Sequence, residues 1–205
     1  MSIDTPVPTL PKLDEAAKAL LFTDAHTASK FADTPITDDE LRSIWELAKW
    51  APTQANFQPL RIVFVQSPEG RARLVEHMMD GNKEKTLAAP AVAILAQDNQ
   101  FQQHIPTVMP PMEKLVDVFA ANDEMRLGAA RFNSAMQSGY FIIAARAIGL
   151  AAGPMGGFDV AKVDEEFFPD GRFSAVLVVN LGHPVEDSFR PRMPRLAHED
   201  VLDIV

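Results

Sequence analysis

Four short segments of the chain carry groups that could together hold a flat, anionic ligand. The first is residues 50–60, where Thr53, Gln54 and Asn56 could hydrogen-bond to the edge of a heterocycle. The same residue types serve turns, so a plain surface turn is the alternative interpretation. The second is residues 82–85, where a lysine beside a heterocycle could stabilise negative charge by Coulomb attraction. A solvated charged turn is the alternative there.

The other two segments could contribute backbone N–H groups and guanidinium groups. In residues 153–159, Gly156 and Gly157 would let the backbone approach a ligand closely and aim N–H groups at it. Residues 190–195 hold three arginines on an otherwise acidic protein, and guanidinium forks suit phosphate. A helix-to-helix turn and a solvated tail are the respective alternatives, so none of the four segments is specific alone.

Other kinds of catalytic site lack their residues in this sequence. The absence of cysteine excludes disulfides, thiolate metal sites and cysteine nucleophiles. No two of the five histidines fall four apart on a predicted helix, and none joins a carboxylate cluster, so no metal site is predicted. The G-x-S-x-G elbow, the P-loop and the G-x-G-x-x-G turn are also missing, which leaves hydrolase and dinucleotide-fold interpretations without support.

Composition and charge narrow the class further. Of the 205 residues, 47% are hydrophobic and 23% are charged, as in ordinary globular proteins. The net charge of −9 disfavours nucleic-acid binding, because an acidic surface repels phosphodiester backbones. No apolar run approaches the roughly 18 residues of a membrane span, and the acidic N-terminus does not have the pattern of a signal peptide. These features predict a cytoplasmic protein that binds no membrane.

Periodicity and capping signals predict the elements that must position the four segments. A capping box at Thr37 and Glu40 should start one helix, and Asn122 or Asp123 should cap a long one that ends before Gly149. Residues 98–112 are interpreted as loop and residues 153–157 as a turn. The predicted helices cover residues 13–22, 38–50, 68–79, 123–148 and 160–167, and the predicted strands cover residues 61–66, 90–96 and 174–181.

These elements predict an α+β or three-layer arrangement in one domain. Residues 13–205 would form that domain and residues 1–12 a flexible arm. Three strands make a thin sheet, so a further strand could come from a partner chain, and the extended tail is the natural candidate for it. The small residues of the long helix suggest close packing against other helices, and a dimer interface would explain its length.

The order and spacing of the four segments resemble the nitroreductase family. Residues 51–59 look like its flavin-edge motif, A-P-[ST]-x-x-N-x-Q-P, and Asn82 to Lys85 looks like its Asn-x-x-Lys pair. Residues 153–159 are similar to its loop over the isoalloxazine N5. Arg195, with the acidic residues after it, is similar to its C-terminal phosphate-binding arginine. The resemblance covers about residues 20–205.

The resemblance implies a fold and a chemistry. The fold would be three-layer α-β-α of the α+β class, with a small, mostly antiparallel sheet and a C-terminal tail extended onto the partner subunit. A homodimer would hold FMN noncovalently at its interface. NADH or NADPH would deliver hydride to flavin N5, and an electrophile would then take it in a ping-pong reaction that needs no protein nucleophile.

The resemblance also implies roles for particular residues. Lys85 near N1 and O2 would stabilise the anionic reduced flavin, and the N–H groups of Gly156 or Gly157 would bond N5 or O4. The ring edge would be read by Thr53, Gln54, Asn56 and Asn82. The ribityl phosphate would be held by His26, Thr27, Ser29, Arg192 and Arg195.

The chain departs from the family pattern near its N-terminus. Family members usually grip the FMN phosphate with an R-x-S-x-R segment, but Ala25 and Ser29 stand where the two basic residues would be. Phosphate binding should then depend on Arg192 and Arg195, with His26 or Lys30 assisting.

Further matches point to one branch, the malonic semialdehyde reductases of pyrimidine degradation. Stretches at residues 21–25, 49–53, 85–90, 133–137 and 153–159 carry this closer resemblance. It implies reduction of malonic semialdehyde to 3-hydroxypropionate, with a proton donor that the sequence does not identify. The alternatives are a broad nitro or quinone reductase, a non-catalytic flavin-binding or flavin-delivery protein, and an interaction scaffold.

Overall fold

The computed structural model of the protein describes residues 9–205, so most of the predicted N-terminal arm lies outside the described residues. Its centre is an antiparallel sheet of four strands in the order β1-β2-β4-β3. The strands are β1 (Leu60–Val65), β2 (Ala91–Asp98), β3 (Ala151–Met155) and β4 (Phe173–Gly182). The α+β class with a small antiparallel sheet is therefore confirmed.

The strand β3 corrects the prediction of a turn at residues 153–157. It pairs with β4 from Ala151 opposite Gly182 to Met155 opposite Val178, so this chain supplies its own fourth strand. Glycine and proline inside the segment suggested a turn. Because β3 lies at the edge of the sheet, Pro154 can stay in the strand without an N–H to donate.

Eight α-helices surround the sheet in the described part of the chain. They are α1 (Glu15–Lys18), α2 (Asp38–Ala48), α3 (Pro68–Glu76), α4 (Asp80–Ala88), α5 (Ile105–Val108), α6 (Leu115–Ala120), α7 (Asp123–Ala147) and α8 (Val160–Phe167). None of the helices described between residues 9 and 205 combines the length and the apolar character that crossing a bilayer requires.

The predicted capping residues start their helices. The Thr37 hydroxyl accepts from the Glu40 N–H at 3.2 Å, and the Glu40 carboxylate accepts from the Thr37 N–H at 2.8 Å. The Asn122 side chain accepts from the Met125 N–H at the start of α7. Beyond the C-terminal end of α7, Gly149 adopts φ +85°, as its position after the helix requires. The predicted helix over residues 13–22 is present from Glu15, as α1 followed directly by a π-helical turn at Ala19–Thr23.

Residues 98–112 are structured, contrary to the predicted loop. They contain the end of β2, a 3₁₀ turn at Phe101–His104, α5 and a second 3₁₀ turn at Pro110–Met112. The rings of Phe101 and Phe119 lie 5.1 Å apart and pack with Phe57 in a small separate core. Burial of this aromatic cluster fixes a segment whose prolines, each in the first turn of a short helix, suggested irregular structure.

The two faces of the sheet pack against different helices, which gives three layers. Ala91, Ala93 and Leu95 of β2 face a core completed by α2 and α7. The alternating residues of the same strand face a core completed by α3 and α8. Every residue of β2 is buried, because both faces of the strand are covered. Its sequence is therefore a nearly continuous apolar run and does not alternate between apolar and polar residues.

Candidate functional site

Four distant parts of the chain meet in a cleft of about 420 Å³, here called the cationic cleft. One wall is the N-terminal strip, residues 25–29, and another is α4, through Gly81 and Lys85. Arg146, near the C-terminal end of α7, closes one side. The tail segment, residues 190–195, completes the cleft with Arg190, Pro191, Arg192, Met193 and Arg195.

The lining of the cationic cleft is strongly positive. Its five basic side chains are Lys85, Arg146, Arg190, Arg192 and Arg195, and no aspartate or glutamate lines the cleft. Within residues 9–205, none of the five forms an ion pair. Such a concentration of unneutralised charge on a protein of net charge −9 is suited to binding an anion.

The cations in the cleft are close enough to influence one another. Burial is the main cause that lowers the pKa of the Lys85 ammonium, and the charge of Arg190 lowers it further. Burial also lowers the pKa of the Arg146 guanidinium, and the nearby charge of Arg192 adds to that effect. A bound anion would relieve both repulsions, because opposite charge favours the protonated form.

The N-terminal strip is held against the chain that leads into the tail segment. Ala28 forms an antiparallel bridge with Phe189, and the Ser29 hydroxyl donates to the Ser188 carbonyl at 2.8 Å. The Ser29 oxygen can therefore still accept a hydrogen bond, but its proton is committed. Lys30, expected to assist phosphate binding, is paired with Asp187 and does not line the cleft.

The other residues predicted to bind phosphate do line the cleft. His26 and Thr27 belong to the strip, and the His26 ring packs edge-on against Phe189 at 5.7 Å. Arg192 donates to the Ala25 carbonyl at 3.0 Å, which ties the tail segment to the strip. Arg195 donates at 2.9 Å to the Met193 carbonyl.

The predicted ring-binding residues of the second and third segments also meet. The Asn82 amide donates to the Gly157 carbonyl at 2.9 Å, and the Met79 N–H donates to the same carbonyl at 3.0 Å. Lys85 lies three residues beyond Asn82 on α4 and so shares its face. Asn82, Lys85 and Gly157 are thus brought together, and Gly156, which directly precedes Gly157 after β3, is exposed.

The polar loop, residues 53–58, lies elsewhere. Thr53, Gln54 and Asn56 do not line the cationic cleft of their own chain. The Asn56 amide donates to the Val108 carbonyl at 2.8 Å and its oxygen accepts from Gln58 at 2.8 Å. A single chain therefore brings together three of the four predicted segments.

The polar loop has an unusual backbone that α7 holds in place. Three of its non-glycine residues have positive φ: Ala55 at 45°, Asn56 at 58° and Gln58 at 47°. The Asn133 side chain accepts from the Gln54 N–H at 2.6 Å, and the Gln137 side chain accepts from the Leu60 N–H at 3.0 Å.

Comparison with known proteins identifies the chain. Residues 23–183 match the nitroreductase family. A Streptomyces coelicolor protein named "putative NADH dehydrogenase/NAD(P)H nitroreductase" is 50% identical over 203 residues, 99% of each chain. The chain belongs to the nitroreductase family. A relative of the same name from Leptothrix cholodnii is 47% identical over 184 residues, which are 90% of this chain and 93% of the relative.

Solved structures support the fold of this nitroreductase-family chain. A Bacillus subtilis protein described as a "putative nitroreductase" superposes with a TM-score of 0.83 at 22% identity, covering 94% of this chain and all of its own. An Exiguobacterium sibiricum protein, described as a "putative nitroreductase in complex with FMN", gives 0.82 at 21% identity, with 96% and 100% covered. At these identities the likeness establishes the three-layer fold alone.

Sequence reasoning missed two residues of this nitroreductase-family site. Arg146 lies in the last turn of α7, where a basic residue is ordinary, and no local pattern places it in the cleft. Asn133 appeared only within a matching stretch, but it is fully buried and holds the polar loop. An amide side chain inside the long, small-residue helix is the sequence signal that could have found it, because polar residues on a packed helix face usually have a specific partner. Among residues 9–205 no group of three or more His, Asp or Glu side chains is arranged to hold a metal ion.

Proposed function

We propose that this protein is an NAD(P)H-dependent oxidoreductase that binds FMN in the cationic cleft. The observation that carries the proposal is the meeting of five basic side chains without ion pairs around one cleft, within the described residues. Lys85 of that cleft lies three residues from Asn82, whose amide donates to the Gly157 carbonyl beside it. The cleft offers a doubly charged phosphate several cationic donors and no competing carboxylate.

The donors present fit the parts of FMN. His26, Thr27, Arg192 and Arg195 would hold the phosphate. Ser29 lies at the same end, and its hydroxyl would have to exchange its bond to the Ser188 carbonyl for one to the phosphate. Asn82, with the N–H groups of Gly156 and Gly157, would meet the ring edge. Lys85 would lie beside the ring, where its ammonium would favour negative charge. When bound, FMN would supply the redox chemistry, accepting hydride from NADH or NADPH and passing it to an electrophile.

A second copy of the chain would complete the site. In this proposal the polar loop of the partner subunit supplies Thr53, Gln54 and Asn56 to the ring edge. The exposed face of α7 supports such a dimer, because Met125, Phe132 and Tyr140 are exposed there. Gly128 and Gly139 have open space beside them within the described residues, so another helix could approach closely.

The tail beyond residue 195 is proposed to extend onto the partner subunit. Its apolar side chains Val201, Leu202 and Ile204 are exposed, by 64%, 66% and 94%. In the described chain β1 pairs only with β2, so its outer edge has free backbone groups. A largely apolar cleft of about 630 Å³, lined in part by Trp45, Ile62 and Phe64, lies beside that edge and could receive a partner's tail.

We propose malonic semialdehyde as the electron acceptor, reduced to 3-hydroxypropionate in pyrimidine degradation. The support for this acceptor is the closer resemblance of the five sequence stretches described above. The relatives' printed name, with its NAD(P)H, supports only the nicotinamide donor. The single domain over residues 13–205 and the cytoplasmic location remain predictions from the sequence.

The test is reconstitution followed by turnover. Purified protein mixed with FMN and passed over a desalting column should keep the flavin visible bands, and anaerobic NADH or NADPH should bleach them. Addition of malonic semialdehyde or of a nitroaromatic should restore the colour, and the faster acceptor identifies the substrate class. Retention of FMN without bleaching by either nicotinamide would indicate a flavin-delivery protein, and no retention would refute the proposal.

A further inference from the structure

Arg146 has an unusual environment at the C-terminal end of α7. One guanidinium nitrogen donates to the Leu21 carbonyl at 3.2 Å, while Nε is buried and has no hydrogen-bond partner in the described chain. The side chain also lines the cationic cleft. A buried donor without a partner is costly, which makes a purely structural role for this arginine unfavourable.

Arg192 of the tail segment faces the same place. It donates to the Ala25 carbonyl, and its charge is near enough to Arg146 to disfavour protonation of that guanidinium. Neither arginine has an ion-pair partner among residues 9–205, and no carboxylate lines the cleft between them. Two guanidinium groups held together in this way are stabilised when an anion lies between them.

We propose that Arg146 binds the phosphate of the flavin and makes the site select FMN over riboflavin, an inference that rests on the proposed function. Position 25 carries alanine where the family pattern has a basic residue. Arg146 reaches this corner from α7, and its guanidinium replaces the missing charge from a different element. The replacement requires the fold, because residues 21–25, Arg146 and Arg192 are distant from one another in sequence.

The C-terminal end of α7 favours a positive charge at this position. The last carbonyls of α7 carry partial negative charge that repels phosphate, whereas a cation in the last turn is favoured there. Arg146 offsets this repulsion and presents a forked donor to the phosphate oxygens. Without it, the four other basic side chains of the cleft would act against an unfavourable helix dipole.

The experiment measures dissociation constants of FMN and riboflavin by quenching of flavin fluorescence, for wild type, Arg146→Gln and Arg146→Lys. We expect Arg146→Gln to weaken FMN binding by roughly 10- to 100-fold, as for a lost charged hydrogen bond, with little change for riboflavin. Arg146→Lys should lie between, since it keeps the charge and loses the fork. Arg73→Gln is the matched control, because Arg73 is also in the last turn of a helix but pairs with Glu166 away from the cleft.

The outcomes separate the inference from the proposed function. Equal weakening of both flavins by Arg146→Gln would assign a merely structural role, and no weakening of either would exclude phosphate contact; both results overturn the inference while flavin binding stands. If wild type binds neither flavin, the proposed function fails and the inference fails with it. If Arg146→Gln does not fold, the ratio of the FMN and riboflavin dissociation constants of Arg146→Lys decides. A second measurement is the competition of inorganic phosphate with FMN, which should be weaker in Arg146→Lys than in wild type.

Discussion

The side-chain oxygen of Asn133, fully buried in α7, accepts a hydrogen bond of 2.6 Å from the backbone N–H of Gln54. The other end of the same amide donates to the Ala129 carbonyl at 2.8 Å. This contact fixes the start of a loop with three residues in the left-handed region, a conformation that costs about 1 kcal/mol or more for each residue. The rigid helix therefore offsets the strain of the loop proposed to meet the partner's flavin.

Asn133→Ala should loosen the polar loop. The Gln54 N–H would lose its buried acceptor, at a cost of about 1–3 kcal/mol in the free energy of unfolding. Because the proposed function assigns Gln54 and Asn56 to the flavin edge, the FMN dissociation constant should rise as well. Urea unfolding and flavin titration measure the two effects.

Ser138→Ala is the control for this loss. Ser138 is a buried polar residue of the same helix, but its hydroxyl donates only to the Ser134 carbonyl within α7. It should change stability slightly and leave FMN affinity unchanged. If Asn133→Ala has no more effect than Ser138→Ala on either quantity, the contact does not hold the loop.

Local chemistry explains which parts of this fold the sequence could predict. The helices α2, α7 and α8 each begin at a residue whose side chain accepts a hydrogen bond from an N–H three residues later. Such signals are local, so they do not depend on the tertiary structure around the helix. The strand β3 could not be predicted from Gly153 and Pro154, because only its place at the sheet edge makes them acceptable. The aromatic core around Phe101 could not be predicted either, because it forms only when Phe57, Phe101 and Phe119, which are distant in sequence, pack together.

The candidate site shows the same division. The motif residues Asn82, Lys85 and Gly157 were predictable because the family resemblance names them, and the structure brings them together. Arg146 was not, because its place in the cleft depends on contacts with Leu21 and Arg192, which are far away in sequence. Tertiary convergence of this kind leaves no local pattern.

The close contact between Gly157 and Asn82 predicts that alanine substitutions at the adjacent positions 156 and 157 differ in their effect on stability. A methyl group on Gly157 would lie 2.6 Å from the Asn82 amide nitrogen and 3.2 Å from the Met79 sulfur. Gly157→Ala should therefore displace Asn82 and destabilise the flavin-free protein by about 1–3 kcal/mol, as overpacking does. Gly156→Ala, with nothing within 4 Å of the added carbon, should leave the unfolding midpoint nearly unchanged.

A double-mutant cycle tests whether Asn82 is the obstacle. In Asn82→Ala/Gly157→Ala the added methyl would meet no amide, so the double variant should be more stable than the sum of the single losses predicts. Additive losses would instead locate the strain at Met79 or in the backbone.

The lowered pKa of Lys85 predicts a pH dependence of flavin binding. Burial and the charge of Arg190 shift the pKa below its ordinary value of 10.5, so the free protein loses this positive charge at a lower pH than an exposed lysine would. Because the proposed function places an anion-stabilising charge here, FMN affinity should fall as pH rises through that lowered pKa. Lys85→Met should bind FMN more weakly at neutral pH, and its FMN affinity should not fall as pH rises through the pKa that Lys85 has in wild type.

Lys83→Met provides the comparison for Lys85. Lys83 lies on the same helix but pairs with Asp80 at 2.8 Å and does not line the cleft. Fluorescence titrations between pH 7 and 10 should give it the wild-type curve. A Lys85→Met curve parallel to that of wild type would show that another group causes the pH dependence.

Removal of residues 197–205 should weaken the proposed dimer while leaving the cationic cleft whole. The truncated chain keeps Arg192 and Arg195 but lacks the exposed apolar side chains Val201, Leu202 and Ile204. Sedimentation should show dissociation at higher protein concentration than for the full chain. A chain in which those three residues are replaced by serine should behave like the truncation, and an unchanged dimer in both would exclude the tail from the interface.

Asp164 predicts that part of the stability is lost as pH rises. Burial raises the pKa of this carboxyl, although the Ala175 N–H, which donates to it at 2.6 Å, and the Ser174 side chain act in the opposite direction. The folded state therefore holds the proton to higher pH than the unfolded chain, whose carboxyl titrates near its ordinary 3.8. Between those two values the folded state binds more protons, so the free energy of unfolding decreases with rising pH.

Asp164→Asn should remove this decrease, because the amide keeps an acceptor for Ala175 and has no proton to lose. The free energy of unfolding of the variant minus that of wild type should rise from about pH 3.5 and level off above the folded-state pKa of Asp164, as urea midpoints across that range would show. Asp170→Asn is the matched control, since Asp170 also accepts from a backbone N–H, that of Arg172 at 3.1 Å, but is exposed. A flat difference curve for Asp164→Asn would mean that the hydrogen bonds fully compensate the burial of the charge.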